Sequence, residues 1–280
     1  MAERITVPLL QQRKSEGQKI TAVTAYDFTF AKLADEAEMD IILVGDSLGN
    51  VMLGYDSTLP VTMDDMIRHT RAVRRGVSRS LVVADLPFLS YQTSPDDAVR
   101  NAGRLLQEGG AAAVKLEGGT HMAETIRRLV SVGIPVMGHL GWTPQSINLF
   151  GRPTVQGRTR TEAQEILDDA RALAEAGAFA VVLEVVPERL AALVTDTVLI
   201  PTIGIGAGPH CDGQVLVMHD LLGLGTDKTF RHAKRFANLN EIVRNAFQSY
   251  RDEVLNEEFP TLEHSFAMDE EQLEGIDRMD

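Results

Sequence analysis

Ala112-Ala113-Val114-Lys115-Leu116-Glu117-Gly118-Gly119 is an unbroken apolar run that takes up a lysine and a glutamate just before a glycine turn. A continuous apolar run of this length, rather than an alternating one, is what a strand covered on both faces requires, and such strands belong to parallel sheets. Side chains alternate across a strand, so Lys115 and Glu117, two positions apart, project from one face.

Working outward, runs of the same kind predict strands at 20–25, 41–45, 81–84, 112–116, 135–138, 180–183, 202–205 and 214–218. Most are followed by a stretch of helical period, the alternation expected of parallel strands with helical crossovers. The helices carry their own start and stop signals. Thr62 precedes Met63-Asp64-Asp65 and Gly76 closes that helix, a hydroxyl cap with carboxylates at the positive end of the dipole. Ser94 before Pro95-Asp96-Asp97 is a cap with proline in the first turn, and the helix runs to Gly109-Gly110. Thr161 and Gln164 have capping-box spacing ahead of Ile166-Leu167, and Gly177 ends that helix.

Eight strands in roughly 250 residues fit an α/β fold of the closed (β/α)8 TIM-barrel type better than an open, doubly wound sheet. Thr6 with Pro8 predicts a short helix ahead of the first strand, placed to plug the barrel floor. The stretch from Gln145 to Thr159 has no period and contains Gly151, Pro153 and Gly157, which reads as a long loop serving as a lid or an oligomer contact. The expected division is a single barrel domain over 1–265 and a flexible acidic tail over 266–280.

The chain has 280 residues, 44% of them hydrophobic and 24% charged, enough for a full core. A net charge of -13 gives no basic face for phosphate, so no nucleic-acid partner is expected. From Asp252 onward there are eleven acidic residues against one arginine, which accounts for -10 of that charge and reads as a solvated end. Cys211 is the one cysteine, so neither an intrachain disulfide nor a thiolate metal cluster can form. Val7-Pro8-Leu9-Leu10 is too short for a secretory core, and no apolar run approaches the roughly 20 residues that cross a bilayer. A cytoplasmic protein without membrane contact is the expectation.

In a parallel barrel the carboxyl ends of all strands open onto one face, so strand-closing residues can build one pocket. Read in order they are Tyr26-Asp27, Asp46-Ser47, Asp85, Lys115 with Glu117, His139, Glu184, the glycine-rich segment 204–208, and His219-Asp220. Each has a plain structural reading: an aspartate after a strand is commonly a helix cap, a histidine a satisfied core residue, and Lys115 an ion-pair partner of Glu117. The coincidence of Asp46, Asp85, Lys115, Glu117, His139 and Glu184 favours a site. Several carboxylates with one histidine and no thiolate suit a hard cation such as Mg²⁺ better than zinc. A 2-oxo acid can chelate such an ion, lysine can neutralise its carboxylate, and a remaining glutamate, Glu117 or Glu184, can remove the proton beside the carbonyl. Glycines at 204–208 allow phosphate binding, but close packing is the stronger reading, since no Ser or Thr opens a helix in Pro209-His210-Cys211.

Taken together, Val44-Gly45-Asp46-Ser47-Leu48-Gly49, Asp56-Ser57-Thr58-Leu59-Pro60-Val61-Thr62, Ala84-Asp85-Leu86-Pro87-Phe88, Val114-Lys115-Leu116-Glu117-Gly118-Gly119, Gly138-His139-Leu140-Gly141, Thr143-Pro144-Gln145-Ser146, Leu183-Glu184 and Ile203-Gly204-Ile205-Gly206-Ala207-Gly208 resemble the signatures of the ketopantoate hydroxymethyltransferase family. The resemblance runs from about Ile5 to Ser265. It implies a barrel of the phosphoenolpyruvate/pyruvate type and a decamer of two pentameric rings. It also implies transfer of a one-carbon unit from 5,10-methylenetetrahydrofolate to 3-methyl-2-oxobutanoate in pantothenate and coenzyme A biosynthesis. By motif, Asp46, Asp85 and Glu117 would hold Mg²⁺, while Asp46, Ser47, Asp85, Lys115 and His139 would contact substrate. Glu184 matches the family's proton acceptor, and His139 would meet the new hydroxymethyl group. The acidic extension after Ser265 departs from the family's usual end. The competing expectation is an Mg²⁺-dependent C–C lyase or mutase of the isocitrate lyase and phosphoenolpyruvate mutase type, whose members commonly use a loop cysteine that Cys211 is not placed to match. A non-catalytic barrel that senses an oxo acid is the rival from another class.

Overall fold

The structure, a computed structural model, describes residues 4–225 and 230–276. Eight parallel strands close in chain order: β1 (Ile20–Thr24), β2 (Ile41–Val44), β3 (Leu81–Asp85), β4 (Ala113–Glu117), β5 (Val136–Gly141), β6 (Ala180–Glu184), β7 (Thr202–Ile205) and β8 (Gly213–Leu216). Closure is through β8 and β1, with Ile20 opposite Gly213 and Val23 opposite Leu216. A helix, α1 (Val7–Ser15), precedes the barrel. The crossovers that follow β1 to β6 contain α2 (Phe28–Glu36), α3 (Met63–Gly76), α4 (Pro95–Arg104), α5 (Ala123–Ser131), α6 (Arg160–Glu175) and α7 (Glu188–Thr197). Residues 206–212, between β7 and β8, carry no helix. The (β/α)8 barrel expected from the strand pattern is the observed fold.

Residue parity explains the two apolar layers. Ile41, Leu43, Leu81, Val83, Ala113, Met137, Val182, Ile203 and Val215 fill the barrel interior, while Ile42, Val44, Val82, Val114, Leu116 and Leu183 face the helices. Continuing the inward parity up β3, β4, β5 and β6 leads to Asp85, Lys115 and Glu117, His139, and Glu184, so the alternation that fills the core also delivers these groups to the mouth. Thr6 caps α1 and Pro8 sits in its first turn. Ile5 and Leu10 are buried among the strand-start residues Ile20, Ile41 and Leu81, closing the floor from below.

Around that floor lies a ring of buried or half-buried carboxylates. Asp35 accepts hydrogen bonds from the backbone N–H groups of Ser78, Arg79 and Ser80 and from both serine hydroxyls. Burial works to raise its pKa, but those donors prevail and hold it well below the ordinary carboxylate range. Asp40 pairs with Arg13 at 2.6 Å and accepts from the N–H and hydroxyl of Thr21. Asp212 pairs with Lys14 at 2.6 Å and accepts from the N–H and hydroxyl of Thr202.

The caps at Thr62 and Ser94 are formed, the first as a full capping box with Asp65. At α6 the expectation needs correction. The cap is Thr159, not Thr161, and Glu162 reaches back to the N–H groups of Thr159 and Arg158. Two registers overlap in Thr159-Arg160-Thr161-Glu162-Ala163-Gln164, and the one with an ionised carboxylate makes the stronger bonds. β5 also runs three residues further than expected, to Gly141, which places His139 inside the strand. The stretch after it is not a plain loop: a 3-10 turn, Pro144–Ser146, leads into a short helix, Ile147–Phe150. Gln145 is buried in the site rather than sitting on a lid.

The last helix, α8 (Leu239–Leu255), stands apart. It has no buried residue, and Phe247 and Tyr250 are 70% and 58% exposed. The expected tail begins beyond it. Residues 266–276 are exposed, with a single 3-10 turn at Glu270–Leu273, and its final residues, 277–280, lie outside the described residues.

Candidate active site

The mouth holds a cavity of about 110 Å³ lined by Asp46, Ser47, Asp85, Lys115, Glu117, His139 and Glu184, together with apolar residues of the barrel. Every residue singled out from the strand ends for catalysis, substrate or metal is therefore in one place. Asp85 is the hub. Its Oδ2 accepts the backbone N–H of Asp46 at 3.0 Å, and its Oδ1 lies 2.9 Å from Lys115 Nζ. Register brings this about, since Asp85 stands opposite Lys115 and Glu117 opposite His139 on neighbouring strands. Gly45 makes room for the turn that follows: a Cβ there would lie 2.7 Å from Ser47 Oγ and 3.5 Å from Asp85 Oδ2.

His139 is flanked by two carboxylates. Its Nε2 lies 3.1 Å from Glu184 Oε2 and its Nδ1 lies 3.5 Å from Glu117 Oε1. Burial and the nearby Lys115 both lower its pKa, but Glu117 and Glu184 outweigh them and lift it to about 9. Lys115 stays an ammonium, because burial, which would lower its pKa, is overcome by Asp85, Glu117 and Asp46. Imidazolium and ammonium cannot donate to each other, so the 3.3 Å approach of Lys115 Nζ to His139 Nδ1 leaves Lys115 directed at Asp85. For Asp46, burial first and then the charges of Asp85 and Glu117 push the carboxyl up to about 8. A carboxylate cluster this strained electrostatically calls for a counter-charge.

The atoms left unsatisfied show where such a charge fits. Asp85 Oδ1 and His139 Nε2 are buried and have no neighbour at hydrogen-bonding geometry, despite the close ionic contacts. Among the described residues no three His, Cys, Asp or Glu side chains form a ready-made metal cage. Mg²⁺ does not require one: it commonly binds through one or two carboxylates and completes its octahedron with water and substrate oxygens. Adjacent Asp46 and Asp85, buried side by side on the cavity wall with the Asp46 carboxyl pushed up by its neighbour's charge, fit that pattern. Glu117 is a weaker candidate for direct contact, since its Oε2 already accepts the backbone N–H of Gln145 at 3.1 Å.

Three groups were missed in the strand-end reading. Gln145 donates its side-chain amide to Asp46 Oδ2 at 2.9 Å and to the Leu86 carbonyl. Its own oxygen accepts from the Tyr91 hydroxyl at 2.8 Å, and that hydroxyl also accepts the N–H of Glu117. Gln145 lies in the quoted Thr143–Ser146 motif, which was the available signal, whereas nothing local marks Tyr91. Val185, next to Glu184, has a φ of 51°, a left-handed conformation costly for a β-branched residue and a sign of local strain beside the site.

The remaining strand ends have structural roles. Asp27 caps α2 by accepting from Phe30 N–H at 2.9 Å. Tyr26 shares a hydrogen bond of 2.8 Å with Ser47 and packs against His219 at 5.7 Å between ring centroids. In the 204–208 segment, a Cβ on Gly208 would come 2.5 Å from Glu188 Cγ, so this glycine serves close packing.

A second cavity, of about 430 Å³, adjoins the first and shares Glu117 and His139 with it. It is enclosed by the connections after β3, β4 and β5 and by the start of α6.

The chain has clear relatives among known proteins. A profile of the family described as ketopantoate hydroxymethyltransferase matches residues 4–262. The chain is 56% identical over 274 residues to the 3-methyl-2-oxobutanoate hydroxymethyltransferase of Carboxydothermus hydrogenoformans, covering 98% of this chain and 99% of that one. It is 60% identical over 263 residues to the enzyme of that name from Moorella thermoacetica, covering 94% and 98%. Among solved structures, phosphonopyruvate hydrolase complexed with oxalate and Mg²⁺ superposes with a TM-score of 0.58 at 14% identity, covering 92% of each chain. A 2,3-dimethylmalate lyase of the PEP mutase/isocitrate lyase superfamily gives 0.58 at 16%, covering 98% and 91%. At such low identity these last two share the fold alone.

Proposed function

The chain belongs to the ketopantoate hydroxymethyltransferase family, and from that premise we propose that it transfers a hydroxymethyl group from 5,10-methylenetetrahydrofolate to 3-methyl-2-oxobutanoate, giving ketopantoate. The observation that carries this reading is the gathering of Asp46, Ser47, Asp85, Lys115, Glu117, His139 and Glu184 around one cavity of about 110 Å³, a size suited to a short oxo acid.

Asp46 and Asp85 would hold Mg²⁺, with Glu117 joining directly or through water. When bound, such an ion supplies Lewis-acid stabilisation of the charge that develops on the oxo acid's carbonyl oxygen. Lys115 and Ser47 bind and orient the substrate carboxylate. Glu184 accepts the proton from the branched carbon, and the carbanion so generated forms the new C–C bond to the donor's methylene carbon as one of that carbon's two C–N bonds breaks and the freed nitrogen takes up a proton. Water then cleaves the second C–N bond, leaving its hydroxyl on the carbon and its proton on the nitrogen. Hydrolysis frees ketopantoate and leaves tetrahydrofolate. His139, set against Glu184, orients that carboxylate and then contacts the new hydroxymethyl group. Of the two glutamates, Glu184 suits the base role better, because Glu117 is bound to Gln145 and sits nearer the proposed metal, which would lower its basicity.

Cys211 is fully buried and lines neither cavity, which disfavours the lyase and mutase reading. The exposed apolar face of α8 supports a homo-oligomer, proposed as the decamer. No helix among the described residues is long and apolar enough to cross a membrane, in keeping with a cytoplasmic enzyme.

The direct test is tetrahydrofolate release in the presence of 3-methyl-2-oxobutanoate and Mg²⁺. Glu184→Gln should slow exchange of the substrate's branched-carbon proton for solvent deuterium by about 100-fold or more while oxo-acid binding persists. Exchange at the wild-type rate in that variant removes Glu184 as the base.

A further inference from the structure

The cavity of about 110 Å³ at the mouth has room for the oxo acid but not for a fused-ring carrier beside it, since sites for molecules of that size usually measure about 300–1,000 Å³. A donor must nevertheless bring its carbon within reach of the oxo acid. The neighbouring cavity of about 430 Å³ falls in the required range, and the two spaces meet at Glu117 and His139. At that junction the buried His139 sets its Nε2 3.1 Å from Glu184 Oε2, so the passage between the two spaces runs beside the proposed base.

The chemistry of the larger cavity is specific in two respects. One wall is apolar and aromatic: Phe150 is held against Trp142 with ring centroids 5.1 Å apart, and Leu149 and Phe88 lie open to solvent at 85% and 38% exposure. Another part of the lining is acidic, from Glu162, Glu165 and Asp169 on α6. Two of these carboxylates are already engaged, Glu162 in the cap of its helix and Asp169 by the N–H and hydroxyl of Thr120, both at 2.7 Å. Glu165, one helical turn from each, makes no hydrogen bond or ion pair among the described residues. A flat ring with an apolar face for the aromatic residues and adjacent N–H donors on its edge for the free carboxylate is the complementary ligand.

We infer that the cavity between the β3, β4 and β5 connections and α6 binds the reduced pterin of the one-carbon donor, with Phe150 against the ring face and Glu165 accepting from the ring N–H and amino group. The methylene unit then points past His139 into the barrel mouth. This inference rests on the proposed donor reaction. The clamp between Asp169 and Thr120 fixes the acidic wall against the turn after β4, where a Cβ on Gly119 would come within 2.0 Å of the Asp169 carboxyl.

Calorimetric titration of the full-length protein, Mg²⁺ present, with tetrahydrofolate and separately with 6-methyltetrahydropterin tests it. Both ligands should bind wild type, the second because the pterin alone fills the site. Glu165→Arg and Phe150→Ala should each weaken tetrahydrofolate binding by about tenfold or more. Exchange of the oxo-acid proton needs no donor and should stay within about twofold of wild type in both variants, which also reports an intact mouth. Wild-type affinity in both variants overturns the inference and leaves the donor reaction standing. Failure of wild type to bind tetrahydrofolate, with exchange intact, overturns both.

Discussion

At the floor of the barrel the buried carboxylate of Asp35 accepts from five donors, whereas at the mouth the equally buried carboxylate of Asp85 has only the Asp46 N–H on one oxygen and the Lys115 ammonium beside the other. The two ends also shift their acids in opposite directions. Donors around Asp35 overcome its burial and lower its pKa, while burial and the neighbouring Asp85 and Glu117 raise that of Asp46. Buried charge that is fully bonded contributes to stability and rigidity. Buried charge left short of partners is costly in the free protein and is kept because a ligand completes it.

The sharpest way to break this comparison is to substitute one carboxylate at each end. Asp85→Asn should raise the barrier to turnover by about 4 kcal/mol or more, with weaker Mg²⁺ and oxo-acid affinity in calorimetry. Unchanged metal affinity would remove Asp85 from the proposed metal site. Asp35→Ala should do the reverse, costing about 3 kcal/mol in urea unfolding by orphaning several buried donors and leaving turnover per folded molecule unchanged.

pH separates the ends again. The folded-state pKa of Asp46 is raised, so ionisation destabilises the metal-free protein as pH climbs from about 4 towards about 8. Asp46→Asn should therefore gain about 1–2 kcal/mol over wild type at neutral pH, a gain that fades in acid and is reversed by saturating Mg²⁺. Asp35 behaves oppositely. Its depressed pKa supplies stability above the unfolded value that is lost as pH falls through the folded one, so the deficit of Asp35→Asn should shrink on acidification. The smallest effect expected is that of Thr202→Val, which removes the hydroxyl bonded to Asp212 and should cost about 1 kcal/mol in unfolding experiments with no change in substrate affinity.

Much of the fold was readable from local pattern. Apolar runs ending in glycine or polar turns marked all eight strands, because a strand buried on both faces must be apolar along its length. The two-residue spacing of Lys115 and Glu117 announced a shared face, and parity alone carried Asp85 and His139 to the same end. Boundaries were less legible where signals overlapped, as with Thr159 and Thr161, since choosing between two caps depends on how the helix seats against the barrel. The engagement of Gln145 with Asp46, 99 positions away, had no local signature.

From its sequence alone this chain declares a parallel barrel and the residue types that meet at its open end, because periodicity and strand parity are local properties of the polypeptide. Only the tertiary structure decides which of those groups are satisfied. Floor aspartates and mouth aspartates are the same residue type, and what distinguishes Asp35 from Asp85 is the count of donors that folding brings within reach of a desolvated carboxylate. Only closure of the barrel, too, creates the second cavity, because its walls come from three connections and a helix that are separate in the chain and meet at the rim.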